Sequence, residues 1–249
     1  MRPRDRREGP SLTLAARPVR KARNALARLR SRKPGEIRGD ELAAAIRDIA
    51  SEPGVETILE IGSATGDGST RSFVEGAERN PGAVTLFCIE AVADRCAELG
   101  GRYADRDFVR PYNVSSVGVD DYASEAEVVG FYRAVPSALN AFPLEQVLGW
   151  RTTELEYLGS SGVRPHGIEL IQNEHGIDRF DVVLLDGSEF AGRAELERVL
   201  GARYVLLDDV LSFKNHANCL RLLADGRYEL VGANPRLRNG YAIFRRASR

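Results

Sequence analysis

Residues 57–69, TILEIGSATGDGS, run an apolar strand straight into a turn with glycines at 62, 66 and 68. A turn that rich in glycine lets backbone approach backbone, or a ligand, with no Cβ in the way. The helix predicted from Ser69 opens with free N–H groups and a positive dipole end facing that turn. A carboxylate or phosphate is a natural occupant of such a helix end. Strand, glycine turn and helix make the first half of a βαβ unit, and with it a parallel sheet with crossover helices.

The rest of the chain repeats the alternation. Apolar runs at 85–91 (TLFCIEA), 181–186 (DVVLLD) and 204–208 (YVLLD) suit parallel strands covered on both faces, and 107–114 is a weaker strand. Helices are predicted over 69–79, 94–99 and 193–200, and over 42–49, where Asp40 is the cap. Near the C-terminus the strands 228–233 and 240–245 are separated by NPRLRN, too short for a crossover helix. They form a hairpin and add a reversed strand. The predicted fold class is α/β: a Rossmann-like doubly wound sheet, mostly parallel with an antiparallel C-terminal strand, helices on both faces. Within it, 115–178 reads as an insertion over the site, with helices over 124–133 and 144–158. Trp150 and Tyr157 on the second of these read as core packing.

Charge divides the chain. Residues 1–38 carry 13 Lys/Arg against 3 Asp/Glu, and the remainder 22 against 33. The chain therefore reads as a basic arm, partly disordered, over 1–38 and one folded domain over 39–249. In the arm, Val19, Ala22, Leu26 and Leu29 fall on one face of a short helix over 18–32. Such a helix suits an anionic membrane surface or an acidic partner, or folds back on the acidic body. An acidic body argues against nucleic acid as a partner. Cys88, Cys96 and Cys219 form neither a CxxC pair nor a Cys/His cluster. That usage, and an N-terminus without an apolar leader, point to the cytoplasm.

Glu90 ends the second strand 28 positions after Gly62, where a carboxylate can take both ribose hydroxyls of a nucleoside. EIGSATGDGS followed by FCIEA resembles motifs I and II of the class I S-adenosylmethionine (SAM)-dependent methyltransferases, over roughly residues 40–246. The resemblance implies SAM as cofactor. Gly62, Ser63, Gly66, Gly68 and Ser69 would cradle its methionine part. Glu60 would hold its amino group directly or through water, Glu90 the ribose, and Asn113 the adenine rim.

Asp186 ends the fourth strand, and Asp208 and Asp209 the fifth. Three carboxylates on one sheet edge repel unless paired, protonated or bound to a cation. Mg2+ is one answer, and the set resembles that of metal-dependent small-molecule and sugar O-methyltransferases. There a metal lowers the pKa of the acceptor oxygen. Asp186, Glu189 and His216 are the candidate catalytic groups, with Lys214 in reach of the same edge and His166 and His175 weaker choices. The implied function is methyl transfer to an oxygen of a small hydroxylated acceptor such as a sugar or glycoconjugate precursor. The alternatives are a non-catalytic SAM-binding scaffold and an NAD-dependent oxidoreductase. The sequence leaves the oligomeric state open.

Overall fold

The computed structural model describes residues 37–247; residues 1–36 of the basic arm, including the helix predicted over 18–32, lie outside the described residues. The elements are α1 (Glu41–Ala50), β1 (Thr57–Ile61), α2 (Ser69–Ala77), β2 (Thr85–Ile89), α3 (Ala93–Arg102), β3 (Val109–Tyr112), α4 (Glu125–Ala134), α5 (Leu144–Ser160), α6 (Gly167–His175), β4 (Val182–Leu185), α7 (Gly192–Val199), β5 (Tyr204–Asp208), α8 (Phe213–Ala224), β6 (Tyr228–Asn234) and β7 (Tyr241–Arg246). The strands form one sheet in the order β3-β2-β1-β4-β5-β7-β6. β1 to β5 are parallel, and β7 runs antiparallel to both β5 and β6. The predicted fold class is therefore the observed one. Among the described residues no helix is long and apolar enough to cross a membrane.

Alternation along the strands sorts the core onto two faces. Ile58, Leu86, Cys88, Val182, Leu184 and Leu206 pack against Leu42 and Ile46 of α1 and Phe73 and Val74 of α2. Leu59, Ile61, Phe87, Val183, Leu185 and Leu207 pack against Val147 and Leu158 of α5, Ile168 and Ile171 of α6 and Leu196 of α7. Both faces of the central strands are buried, which is why those strands read as unbroken apolar runs. Each such side chain contributes about 1.5–3 kcal/mol by leaving water. The Asp40 cap forms as predicted, its Oδ1 accepting from Ala43 N at 2.9 Å.

Register sets the site. Ile61 pairs with Ile89 on one side and Leu185 on the other; Ile89 pairs with Tyr112, and Leu185 with Leu207. The next residue on each strand therefore falls into one row along the carboxyl edge: Asn113, Glu90, Gly62, Asp186, Asp208. Open α/β sheets bind ligands along that edge where the strand order reverses, here between β1 and β4. The 115–178 segment holds α4, α5 and α6. The sequence did not announce α6, whose Ile168 and Ile171 reach the core shared with Leu59 and Val183.

Candidate active site

A cavity of about 740 Å³ opens at the carboxyl edge, within the usual size range for small-molecule sites. Its wall includes the glycine loop (Gly62, Ser63, Gly68, Ser69) and Glu90. It also includes Tyr122 and Glu154, and Asp186, Glu189 and Glu195 beyond the end of β4.

The loop is built by close approach. Gly62 has φ +90°, and a Cβ there would stand 2.3 Å from the carbonyl oxygen of Asp186. Gly66, at φ +76°, would meet the Tyr103 ring at 2.9 Å, and its own carbonyl accepts from Tyr103 Oη at 2.6 Å. Gly66 thus shapes the loop from behind and does not line the cavity. Among the described residues no side chain caps the start of α2, which leaves its first N–H groups open.

Glu60 departs from its expected place. It is fully buried and does not line the cavity. Ser69 Oγ donates to its Oε1 at 2.5 Å and Thr70 Oγ1 to its Oε2 at 2.6 Å. Burial raises its pKa, against the two hydroxyls that lower it. Its position ties the end of β1 to the start of α2, so it braces the loop from beneath. The reason is parity: residue 60 points to the same face as Ile58, into the layer under α1 and α2.

Glu90 follows the end of β2 and lines the cavity. Its Oε2 accepts from Ala64 N at 2.9 Å and its Oε1 from Val92 N at 2.7 Å. Asn113 does not line the cavity; its Nδ2 donates to the carbonyls of Glu90 at 2.9 Å and Ala91 at 3.0 Å. It holds the Glu90 strand end in place, and Val114, Ser115 and Ser116 form the wall beside it.

No protein-family model matches this chain, and no curated protein does. Solved structures do. The O-methyltransferase from Bacillus cereus in complex with SAH is 13% identical over 95% of this chain and 93% of its own, with a TM-score of 0.53. Cofactor-bound Rv0187 from MTB is 12% identical over 96% and 94%, at 0.50. A protein from Corynebacterium glutamicum is 13% identical over 96% and 93%, also at 0.50. The fold is that of the Rossmann-like methyltransferases.

In that fold the three predicted aspartates do come together. One carboxylate oxygen from each of Asp186, Asp208 and Asp209 lies within 4.8 Å of the others. Basic side chains stand among them, the paired alternative that the sequence left open beside a cation. Lys214 Nζ lies 2.6 Å from Asp186 Oδ1 and 2.8 Å from Asp209 Oδ2, and its side chain is 6% exposed. Arg238 Nη2 lies 2.9 Å from Asp208 Oδ1 and also pairs with Asp40. Asn239 Nδ2 donates to Asp209 Oδ1 at 3.0 Å. Burial alone would lower the Lys214 pKa, but the two carboxylates outweigh it and hold the ammonium charged. Lys214 in turn holds Asp209 below the usual carboxylate value against its burial. Asp208, more deeply buried and crowded by the other two, is pushed up to about 7. A hard cation needs about six oxygens around it, free of competing positive charge. These carboxylates already hold an ammonium and a guanidinium, so the set does not fit a divalent metal.

Of the candidate catalytic groups, Asp186 and Glu189 line the cavity. Glu189 Oε1 accepts from Ser212 Oγ and, at 3.2 Å, from Lys214 N, while burial raises its pKa. His216 does not line it: it sits one turn into α8, its ring 5.5 Å from that of Phe131. His166 and His175 are likewise absent from the wall.

The sequence reading missed a group of wall residues. Tyr122 Oη donates to Glu154 Oε1 at 3.1 Å. Ser116 Oγ donates to Glu195 Oε1 at 2.6 Å, while Glu195 Oε2 has no hydrogen-bond partner among the described residues. Trp150 and Tyr157, expected in the core, also line the cavity. Positions 150, 153, 154, 157 and 158 share one stripe at helical spacing, the one signal by which α5 could have been assigned to the site.

Proposed function

We propose that the protein transfers the methyl group of SAM to an oxygen of a small hydroxylated acceptor, such as a sugar or a glycoconjugate precursor. The observation that carries this reading is the lining of the cavity. It joins the open start of α2 and the Glu90 carboxylate to further carboxylates, hydroxyls and aromatic rings. The helix start and Glu90 suit an amino acid joined to a nucleoside: N–H groups for a carboxylate, Glu90 for a ribose. The rest of the wall offers hydroxyls from Ser115, Ser116, Tyr122 and Thr153, carboxylates, and the rings of Trp150 and Tyr157. Carboxylates take up the hydroxyls of a polyol while aromatic rings cover its C–H faces.

Bound SAM supplies an activated methyl on a positively charged sulfur. The chain's contribution is to hold the two reactants end to end and to keep water from between them. In the transfer the S–CH3 bond breaks, the O–CH3 bond forms and the acceptor hydroxyl proton leaves to a carboxylate. Asp186 and Glu189 are the candidate acceptors of that proton, since both line the cavity. No step requires a metal. The oxidoreductase alternative is weakened by the reversed β7 beside β5, which a plain dinucleotide sheet lacks.

Calorimetric titration with SAM, SAH and NAD tests the reading. SAM and SAH are expected to bind and NAD not to bind. Glu90→Ala, shown by circular dichroism to be folded, should weaken SAH by about 10- to 100-fold, the worth of lost hydrogen bonds to a charged group. Absence of SAM and SAH binding would sink the proposal. Binding without turnover across a panel of hydroxylated sugars would favour the scaffold reading.

A further inference from the structure

The sheet edge gathers three carboxylates, and elementary electrostatics demands a compensating charge. The chain supplies it from two directions. Lys214 enters from the first turn of α8, its Nζ bridging Asp186 at 2.6 Å and Asp209 at 2.8 Å. Arg238 enters from the β6–β7 connection and meets Asp208 at 2.9 Å. The local backbone is shaped to the same end. Asp209 takes φ +58°, a left-handed conformation that directs the chain from β5 into α8. Val210 N and Leu211 N are anchored on the carbonyls of Gly240 and Asn239 at 3.0 and 2.8 Å. Asn215, next to Lys214, is fully buried and donates to the carbonyls of Leu185 and Asp208 at 2.9 and 2.7 Å. The lysine is therefore fixed at its base by a side chain tied to both strand ends, and at its tip by both aspartates.

We propose that the Lys214 ammonium is a built-in cation standing where a divalent metal would otherwise sit, so that the carboxylate cluster is complete within the chain and takes no Mg2+. Lys214 lies behind Asp186 and does not itself line the cavity. It is a positioning residue: it holds the Asp186 carboxylate at the cavity wall and sets the charge of that wall. A point ammonium suits this task because it offers three donors without the six-oxygen shell of a metal. The proposal does not depend on the transferase reading, since its test needs neither SAM nor acceptor.

The test is a titration of the full-length protein with Mn2+, followed by the loss of the free-ion electron paramagnetic resonance signal. Wild type is expected to show no binding up to about 1 mM. Lys214→Met removes the charge and keeps the length of the side chain, and is expected to bind one Mn2+ at least about tenfold more tightly than that limit. Lys214→Gln, which can still hydrogen-bond a carboxylate, is the second variant should the methionine fail to fold, with the same gain expected. Stoichiometric Mn2+ binding by wild type that disappears in Asp186→Asn would overturn the proposal. So would folded Lys214 variants that bind no more Mn2+ than wild type.

Discussion

Gly62→Ala is expected to lower stability by on the order of 3–5 kcal/mol and to abolish SAH binding. The new Cβ would lie 2.3 Å from the carbonyl oxygen of Asp186, 2.7 Å from its carbon and 2.9 Å from Gly187 Cα. All three are backbone atoms, so no rotamer change relieves the contact. The residue also holds φ +90°, which an L side chain rarely adopts. Relief would require the ends of β1 and β4 to separate, and these carry the glycine loop and Asp186. For a chain of this size the loss corresponds to a fall in melting temperature of roughly 10 °C. Gly39→Ala is the control: it too has positive φ, at +60°, but its Cβ meets nothing within 4 Å among the described residues. It should cost only the backbone term, about 1–2 kcal/mol. Equal melting temperatures for the two variants would show that the close approach of the two strand ends carries no weight.

The second large effect concerns pH. Glu195 is fully buried on α7, and burial pushes its pKa from 4.5 up to about 7, against the Ser116 hydroxyl and Lys214, which lower it. Glu154 and Asp186 add to the rise. The folded chain therefore keeps a proton that the unfolded chain releases. Stability from this group is fully present below about pH 4.5 and is lost as pH rises to about 7, after which it is flat. The full loss is about 3 kcal/mol. Glu195→Gln stays neutral throughout. Urea unfolding at about pH 5 and about pH 8 should therefore show the variant gaining on wild type by about 2–3 kcal/mol at the higher pH, the remainder being lost already at about pH 5. Asp208, also pushed up to about 7, slopes the same way in both proteins and cancels in the comparison. A gap between the two proteins that does not change with pH would mean that Glu195 is ionised in the fold.

The same residues show how far the sequence could be read. The glycine loop, Glu90 and the three aspartates were legible because strand ends can be located from apolar runs, and parallel register then lines them up. Glu60 and Asn113 were assigned to the ligand because sequence spacing places a residue near a site without saying which way it faces. Parity turns Glu60 under α2, and Asn113 spends its amide on the carbonyls of residues 90 and 91. Tyr122, Glu154 and Glu195 were invisible because they come from segments with no motif, far from the loop in the chain.

What the sequence determined by itself is the sheet: its strands, the reversal contributed by the terminal hairpin and the row of residues at its carboxyl edge. These follow from local periodicity and from the absence of room for a crossover helix between β6 and β7. Only the tertiary structure decided the charge state of that edge. Lys214 and Arg238 lie 28 positions from Asp186 and 30 positions from Asp208 respectively; the sequence placed Lys214 within reach of the edge without saying what it pairs with, and held no sign of Arg238. Whether three aspartates face a metal, a proton or an ammonium depends on where two long side chains end. That is fixed by the packing of α8 and the β6–β7 connection against the end of β5.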